Sequence, residues 1–210
     1  MCVGVLAGCG SAASRASAPG SSPGYGQLLA YTVAQGHLPP EPGIPSAQSP
    51  HFMELARALW QGVVTGNPRP ALAALFPQGA YEQLKAISNP GRDWRGRLER
   101  DFELDVLAAH RLLGASAADS TLVGVDVRSY YAHRIAPNSC GNAIGYYEMP
   151  GARVVYETSG RISSFGIASM ISWRKVWYIV HMGALHRRHP RGAVDHPRTG
   201  PGSPEYSGTC

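Results

Sequence analysis

Tyr131 and His133 are the residues of this chain whose types and spacing best suit proton transfer. A histidine base beside a phenolic hydrogen-bond donor in an apolar pocket is typical of isomerase and dehydratase sites. Such a site also needs an acid that points into the pocket. The alternation of the predicted strands places Asp126, Glu148 and Glu157 on the face of the sheet away from the pocket. We therefore predict no catalytic residue, because a single histidine at a strand end is more often structural.

Four histidines near the C-terminus do not form a metal-binding pattern. His181 ends a predicted strand, whereas His186, His189 and His196 lie among glycines, prolines and arginines, so their spacing fixes no coordination geometry. The arginines of the same stretch supply much of the formal net charge of +5. We expect a solvated basic tail and predict no metal, no cofactor and no nucleic-acid partner.

The first nine residues, MCVGVLAGC, end in Leu6-Ala7-Gly8-Cys9, which resembles the lipobox of bacterial lipoproteins. The resemblance implies cleavage before Cys9, a diacylglycerol on its sulfur, and a lipid-anchored position on the extracytoplasmic side of the cell membrane. A full signal peptide has a basic start and an apolar core of about 7–15 residues. Residues 1–9 would then be a truncated signal segment with its true start upstream. An ordinary N-terminus of small residues is the alternative.

The two flanking regions have the composition of linkers. Residues 10–50 are rich in Gly, Ser, Ala and Pro, which predicts a disordered tether between the lipid and a folded domain. Residues 184–210 are predicted to be a flexible tail, because they offer little to bury. The folded domain is expected over residues 51–183.

The cysteines fit an oxidising compartment. If Cys2 is lost with the leader and Cys9 carries lipid, Cys140 and Cys210 remain. Two cysteines in an exported chain favour a disulfide, which would pin the tail to the domain. Two free thiols or an intermolecular bridge are the alternatives.

The alternation of apolar and polar residues over 121–183 predicts a meander of antiparallel strands. Two-residue turns are expected at Pro150-Gly151, Ser159-Gly160 and Arg174-Lys175. Residues that flank such a turn face the same side of the sheet, so the three turns define one apolar face. The residues of this face are Val123, Val125, Val127, Tyr131, Tyr147, Met149, Ala152, Val154, Tyr156, Phe165, Ile167, Ile171, Trp173, Val176, Tyr178, Val180 and Met182.

The opposite face of the predicted sheet carries a second apolar patch among its polar residues. Such a patch indicates a partner surface or a second layer, and a homodimer through it is one hypothesis. The patch consists of Ile144, Val155, Ile162, Met170, Trp177 and Ile179.

Helices are predicted before the sheet. Apolar residues recur at helical spacing over 51–66, between Ser49-Pro50 and Gly66, and again over 92–113, which Gly114 ends. Asn67-Pro68 is expected to begin a short helix that runs to Phe76.

Helices followed by an antiparallel meander predict an α+β fold with helices on one face of the sheet. This order resembles the nuclear transport factor 2-like (cystatin-like) superfamily, which implies a curved sheet that wraps a pocket. The segments SCGNAIGYYEMPGARVVY and SFGIASMISWRKVWYIVHMGAL also resemble secreted proteins of actinobacteria that have no known reaction.

Two functions follow as hypotheses. The first is a non-catalytic binding or structural module, with a small apolar ligand between the helices and the sheet. The second is an enzyme of the isomerase or dehydratase type in that pocket. The expected pocket residues are Leu59, Trp60, Tyr131, His133 and Tyr178.

Overall fold

The structure, a computed structural model, describes residues 24–183 and 191–205 beside Met1. It is an α+β fold in which a helical N-terminal half precedes an antiparallel sheet. Within the described ranges no helix is long and apolar enough to cross a membrane. The helices are α1 (Tyr25–Gly36), α2 (Pro50–Thr65), α3 (Pro68–Ala71), α4 (Gln78–Leu84), α5 (Pro90–Asp93), a π-helix (Trp94–Glu99) and α6 (Arg100–Leu113). The strands are β1 (Ser120–Asp126), β2 (His133–Ile135), β3 (Tyr146–Thr158), β4 (Arg161–Trp173), β5 (Val176–His181) and β6 (Asp195–Thr199).

The sheet is built around the long β3–β4 hairpin. On the outer edge of β3, the short β2 and β1 pair with its first and second halves. On the outer edge of β4, β6 and β5 pair with its first and second halves in the same way. Two 13-residue strands thus carry four shorter ones.

Two of the three predicted turns are confirmed. Thr158 pairs with Arg161 across Ser159-Gly160, and Trp173 pairs with Val176 across Arg174-Lys175. All four turn residues have positive φ, as a two-residue turn that follows the twist of its strands requires.

The predicted turn at Pro150-Gly151 is wrong, because β3 runs straight through it. Pro150 pairs with Ser169 and Ala152 pairs with Ile167. On the other edge of β3, positions 149–152 fall between β2 and β1 and have no ladder partner. A proline is tolerated there because no neighbouring strand needs its missing N–H.

Loss of that turn reverses the facing of every β3 residue before it. Glu148, predicted to face outward, pairs with Ile171, which in turn pairs with Tyr178. The Tyr178 ring lies 6.3 Å from that of Phe76, in the helical layer. Glu148 therefore lies on the helix-facing side, and Met149, predicted to face inward, lies on the other side, opposite Met170.

The rest of the predicted core face is largely confirmed. Val154 and Phe165 are paired and buried, and the Trp60 ring on α2 lies 5.3 Å from that of Tyr156. On β5 the predicted alternation breaks after Tyr178, because a register shift pairs His181, in place of Val180, with Ser169 on the helix-facing side. Val123 also departs from the prediction, with 57% of its surface exposed. A register shift between Leu122 and Gly124 turns it out of the core.

Helix α2 matches its prediction in both position and caps. The Ser49 side chain accepts a hydrogen bond from the Phe52 N–H at the N-terminus, and Gly66 ends the helix with φ 63°. Residues 90–113 also form a continuous helical run, but its centre is the π-helix.

The range predicted to be a disordered tether contains α1, which packs on the domain. Leu28 is buried, Thr32 Oγ1 donates to the Ala73 carbonyl, and Trp173 Nε1 donates to the Gln35 carbonyl. The predicted flexible tail likewise contains β6, which pairs with β4. The folded unit is thus larger than residues 51–183.

The second apolar patch is mostly buried within the chain. Met170, Trp177 and Ile179 are buried, and Trp177 Nε1 donates to the Pro45 carbonyl. The hypothesis of a homodimer through this face therefore lacks the exposed surface on which it was based.

Candidate functional site

A row of polar side chains crosses four strands on the helix-facing side of the sheet. His133 on β2 pairs with Glu148 on β3, and Ser169 on β4 pairs with His181 on β5. Ser169 Oγ joins the two halves by donating to Glu148 Oε1 at 2.9 Å. We call His133, Glu148, Ser169 and His181 the polar row.

The contact between His133 and Glu148 is the chemically distinctive part of the polar row. His133 Nε2 lies 3.4 Å from Glu148 Oε2, and the Glu148 side chain is only 12% exposed. Glu148 Oε2 is buried and accepts no hydrogen bond within the described part of the chain. A buried acceptor without a donor is uncommon in proteins and usually has a functional explanation.

The contact made by Nδ1 of His133 determines whether Nε2 can donate or accept a hydrogen bond. Nδ1 lies 3.0 Å from the Tyr131 carbonyl oxygen, and a carbonyl can only accept, so Nδ1 carries a hydrogen. In a neutral imidazole Nε2 is then an acceptor, and it faces the carboxylate oxygen of Glu148. Two acceptors face each other at 3.4 Å, and the contact becomes complementary when a proton lies between them.

Tyr146 and Lys85 surround Glu148 with further polar groups. Burial, followed by the charge of Glu148, raises the pKa of Tyr146 to about 12, and its hydroxyl accepts from Asn142 Nδ2 at 3.2 Å. Burial is also the main cause that lowers the pKa of Lys85, whose Nζ donates to the Cys140 carbonyl at 3.5 Å. Tyr146 therefore remains a neutral hydrogen-bonding group at physiological pH.

The predicted pocket residues do not meet in one place. Leu59, Trp60 and Tyr178 are buried core residues. The Tyr131 ring meets that of Tyr130 edge to face with centroids 4.5 Å apart, and of the five residues only His133 belongs to the polar row. The space between α2 and the sheet that these core residues occupy is filled by side chains.

The cysteine predictions are tested only in part. Cys140 is in a disulfide, and its predicted partner Cys210, like Cys9, lies outside the described residues. The pairing of Cys140 with Cys210 and the lipid on Cys9 stay predictions. Among the residues that the structure describes, no three His, Cys, Asp or Glu side chains converge as metal ligands.

A second feature is a groove beneath α1 with a volume of about 360 Å³. We call it the α1 groove: it is lined by residues of α1, by residues between 72 and 82, and by Trp94 and Glu99 of the π-helix. Its lining combines apolar side chains with His37 and with two carboxylates, Glu82 and Glu99. Sequence reasoning missed it, because α1 fell within the predicted tether.

No known protein family matches the chain, and no curated protein or solved structure shows significant similarity to it. The polar row and the α1 groove are therefore the features of the molecule that bear on its function.

Proposed function

We propose that this chain is a lipid-anchored extracytoplasmic module with a nuclear transport factor 2-like fold that binds a small polar ligand at the polar row. The observation that carries the proposal is the buried Glu148 Oε2, which faces His133 Nε2 and accepts no hydrogen bond from the described residues. The sequential order of helices and antiparallel sheet supports the fold assignment, and the lipobox resemblance supports the anchor.

The chemistry of the polar row defines the ligand class. Both atoms of the central contact can accept, so a hydroxyl or amine hydrogen of the ligand would satisfy Glu148 Oε2. Ser169 already donates to the other carboxylate oxygen at 2.9 Å and holds it in place. The site thus favours a ligand that donates over one of the same shape that only accepts.

A pair of six-membered ring compounds tests this preference. Cyclohexanol carries one donor and cyclohexanone carries none, and their binding to the full chain can be compared by ligand-observed NMR. We expect saturation transfer to cyclohexanol, with affinity about tenfold weaker in Glu148→Gln, since that variant replaces a charge-assisted hydrogen bond by a neutral one. Glu157→Gln, an exposed position on the same strand, is the matched control. Equal affinities for the alcohol and the ketone, or no effect of Glu148→Gln, would contradict the proposal.

An enzyme of the isomerase or dehydratase type is the second candidate, and one observation favours it. Glu148 supplies the inward-facing acid that the sequence pattern did not provide, and it lies beside His133 of β2. With a hydrogen on Nδ1, a neutral His133 keeps a lone pair on Nε2 that can take a proton from carbon next to a carbonyl, and the adjacent Glu148 carboxylate would stabilise the imidazolium that forms.

Both reaction types begin with that proton transfer, so hydrogen exchange tests them without knowledge of the substrate. Cyclohexanone is incubated with the protein in D₂O, and loss of its α-hydrogen signals is followed by NMR. Exchange above the buffer rate that disappears in His133→Gln supports the enzyme. Exchange at the buffer rate, together with cyclohexanol binding, would contradict the enzyme and support the binding module.

A further inference from the structure

The α1 groove has a size and a lining that suit a small molecule. Its volume of about 360 Å³ is near the lower end of the range for ligand pockets. Leu29, Val33 and Leu72 are among its lining residues, so much of the lining is apolar. Such a lining favours an apolar ligand, because moving the ligand's hydrocarbon out of water is stabilising.

The π-helix brings an aromatic ring and an acid to the same end of this groove. Trp94 and Glu99 are its first and last residues, and both line the groove. In an α-helix, residues five apart point about 140° away from each other, because 3.6 residues make one turn. The wider π-helical turn, with i→i+5 hydrogen bonds, places them on one side, and π-helical turns are frequent at functional sites.

Glu99 carries a negative charge that the protein does not neutralise. Within the described ranges its carboxylate forms no hydrogen bond and no ion pair, whereas Glu82 accepts from Gln78 Nε2 at 2.6 Å. Burial, followed by the charge of Glu103, raises the pKa of Glu99, while Arg95 lowers it. Arg95 thus acts on Glu99 only at a distance, and a cation in direct contact with this half-buried carboxylate would stabilise its charged form.

The Trp94 ring is fixed at the same end. Its Nε1 donates to the Phe76 carbonyl at 2.7 Å, which sets the orientation of the indole. Indole is the side chain to which organic cations bind best through cation–π attraction.

We propose that the α1 groove is a binding site for a small amphipathic cation, an alkyl chain that bears an ammonium group. The alkyl chain lies between α1 and Leu72, and the ammonium lies beside Glu99 and Trp94. This site shares no residue with the polar row and does not depend on its function.

Three six-carbon probes test the proposal on the full chain by isothermal titration calorimetry. Hexyltrimethylammonium carries the cation, hexanol is its neutral counterpart and hexyl sulfate its anionic one. We expect the cation to bind at least tenfold more tightly than hexanol, and hexyl sulfate not to bind. Equal binding of hexanol and the cation would overturn the assignment of charge, and absence of cation binding would overturn the site.

Variants locate the binding in the groove. Glu99→Gln should weaken hexyltrimethylammonium at least tenfold, and Trp94→Leu should weaken it by a smaller factor. Glu148→Gln in the polar row should leave it unchanged, which separates this inference from the proposed function. Thermal unfolding of each variant confirms that the chain is folded, and Glu99→Gln with wild-type affinity would overturn the proposal.

Discussion

At the scale of single residues, Arg153 shows how a buried charge joins distant parts of this chain. Its guanidinium donates to Ser164 Oγ at 3.2 and 2.9 Å and to the His196 carbonyl at 2.8 Å. Ser164 Oγ in turn donates to the Gly200 carbonyl at 2.9 Å. The side chain is almost fully buried, so these contacts hold the segment that contains β6 against β4.

Arg153→Ala should lower the free energy of unfolding by about 3 kcal/mol, because it removes buried charge-assisted hydrogen bonds and leaves their acceptors unsatisfied. Denaturant unfolding monitored by circular dichroism measures this change. Arg161→Ala, at an exposed position of β4, should change it by less than about 0.5 kcal/mol. Similar values for the two variants would show that the Arg153 contacts contribute little.

At the scale of elements, the Arg174-Lys175 turn joins the sheet to the N-terminal segment. Both residues have positive φ, 49° and 60°, which costs about 1–2 kcal/mol for a residue with a side chain. Arg174 offsets the strain with hydrogen bonds to the Gln35 side chain and the Pro39 carbonyl, at 2.9 and 2.7 Å. Among the described residues, Lys175 makes an exposed ion pair with Glu41, to which Arg174 also lies close at 3.7 Å.

Glycine substitutions should therefore have opposite effects at the two positions. Lys175→Gly should raise the free energy of unfolding by about 0.5–1 kcal/mol, because relief of strain exceeds the small value of an exposed ion pair. Arg174→Gly should lower it by about 1 kcal/mol, because two hydrogen bonds are lost. Thermal denaturation of the pair tests this ordering, and equal stabilisation by both would contradict it.

At the scale of the whole molecule, segments from both ends of the described chain cover the sheet. The α1 segment and the residues after it meet β4 and β5 through Trp173 and Trp177. The segment after residue 190 is fixed on α6, where the Asp105 carboxylate accepts from the Gly183 and Ala193 N–H groups at 2.8 and 2.9 Å. A tether to a membrane would therefore begin before α1 and not at residue 50.

The lipid anchor is a prediction about the whole protein and is tested on the whole protein. Expressed in a bacterial host, the full chain should partition into the detergent phase of Triton X-114. Cys9→Ser should move it to the aqueous phase, because the lipidated sulfur is lost, whereas Cys2→Ser should not. Detergent partitioning that is unaffected by Cys9→Ser would contradict the anchor.

The sequence by itself determined those parts of the structure that depend on residues close together in the chain. The caps of α2 and the turn at 159–160 arise from backbone angles and hydrogen bonds within a few residues, so their patterns identify them. The turn at Arg174-Lys175 is located by the alternation of the strands on either side, since its own two residues do not favour positive φ. The residues of Pro150-Gly151 themselves argue against a two-residue turn, since proline cannot adopt the positive φ that the first position of such a turn requires.

Only the tertiary structure decided which side chains share a site. The helix-facing position of Glu148 follows from pairing along the whole of β3, and one misplaced turn reversed it. The order of α1 depends on Trp173, whose partner Gln35 lies 138 residues away in the chain. Contacts over such separations leave no periodic signal in the sequence, because each is fixed by the packing of complete elements against one another.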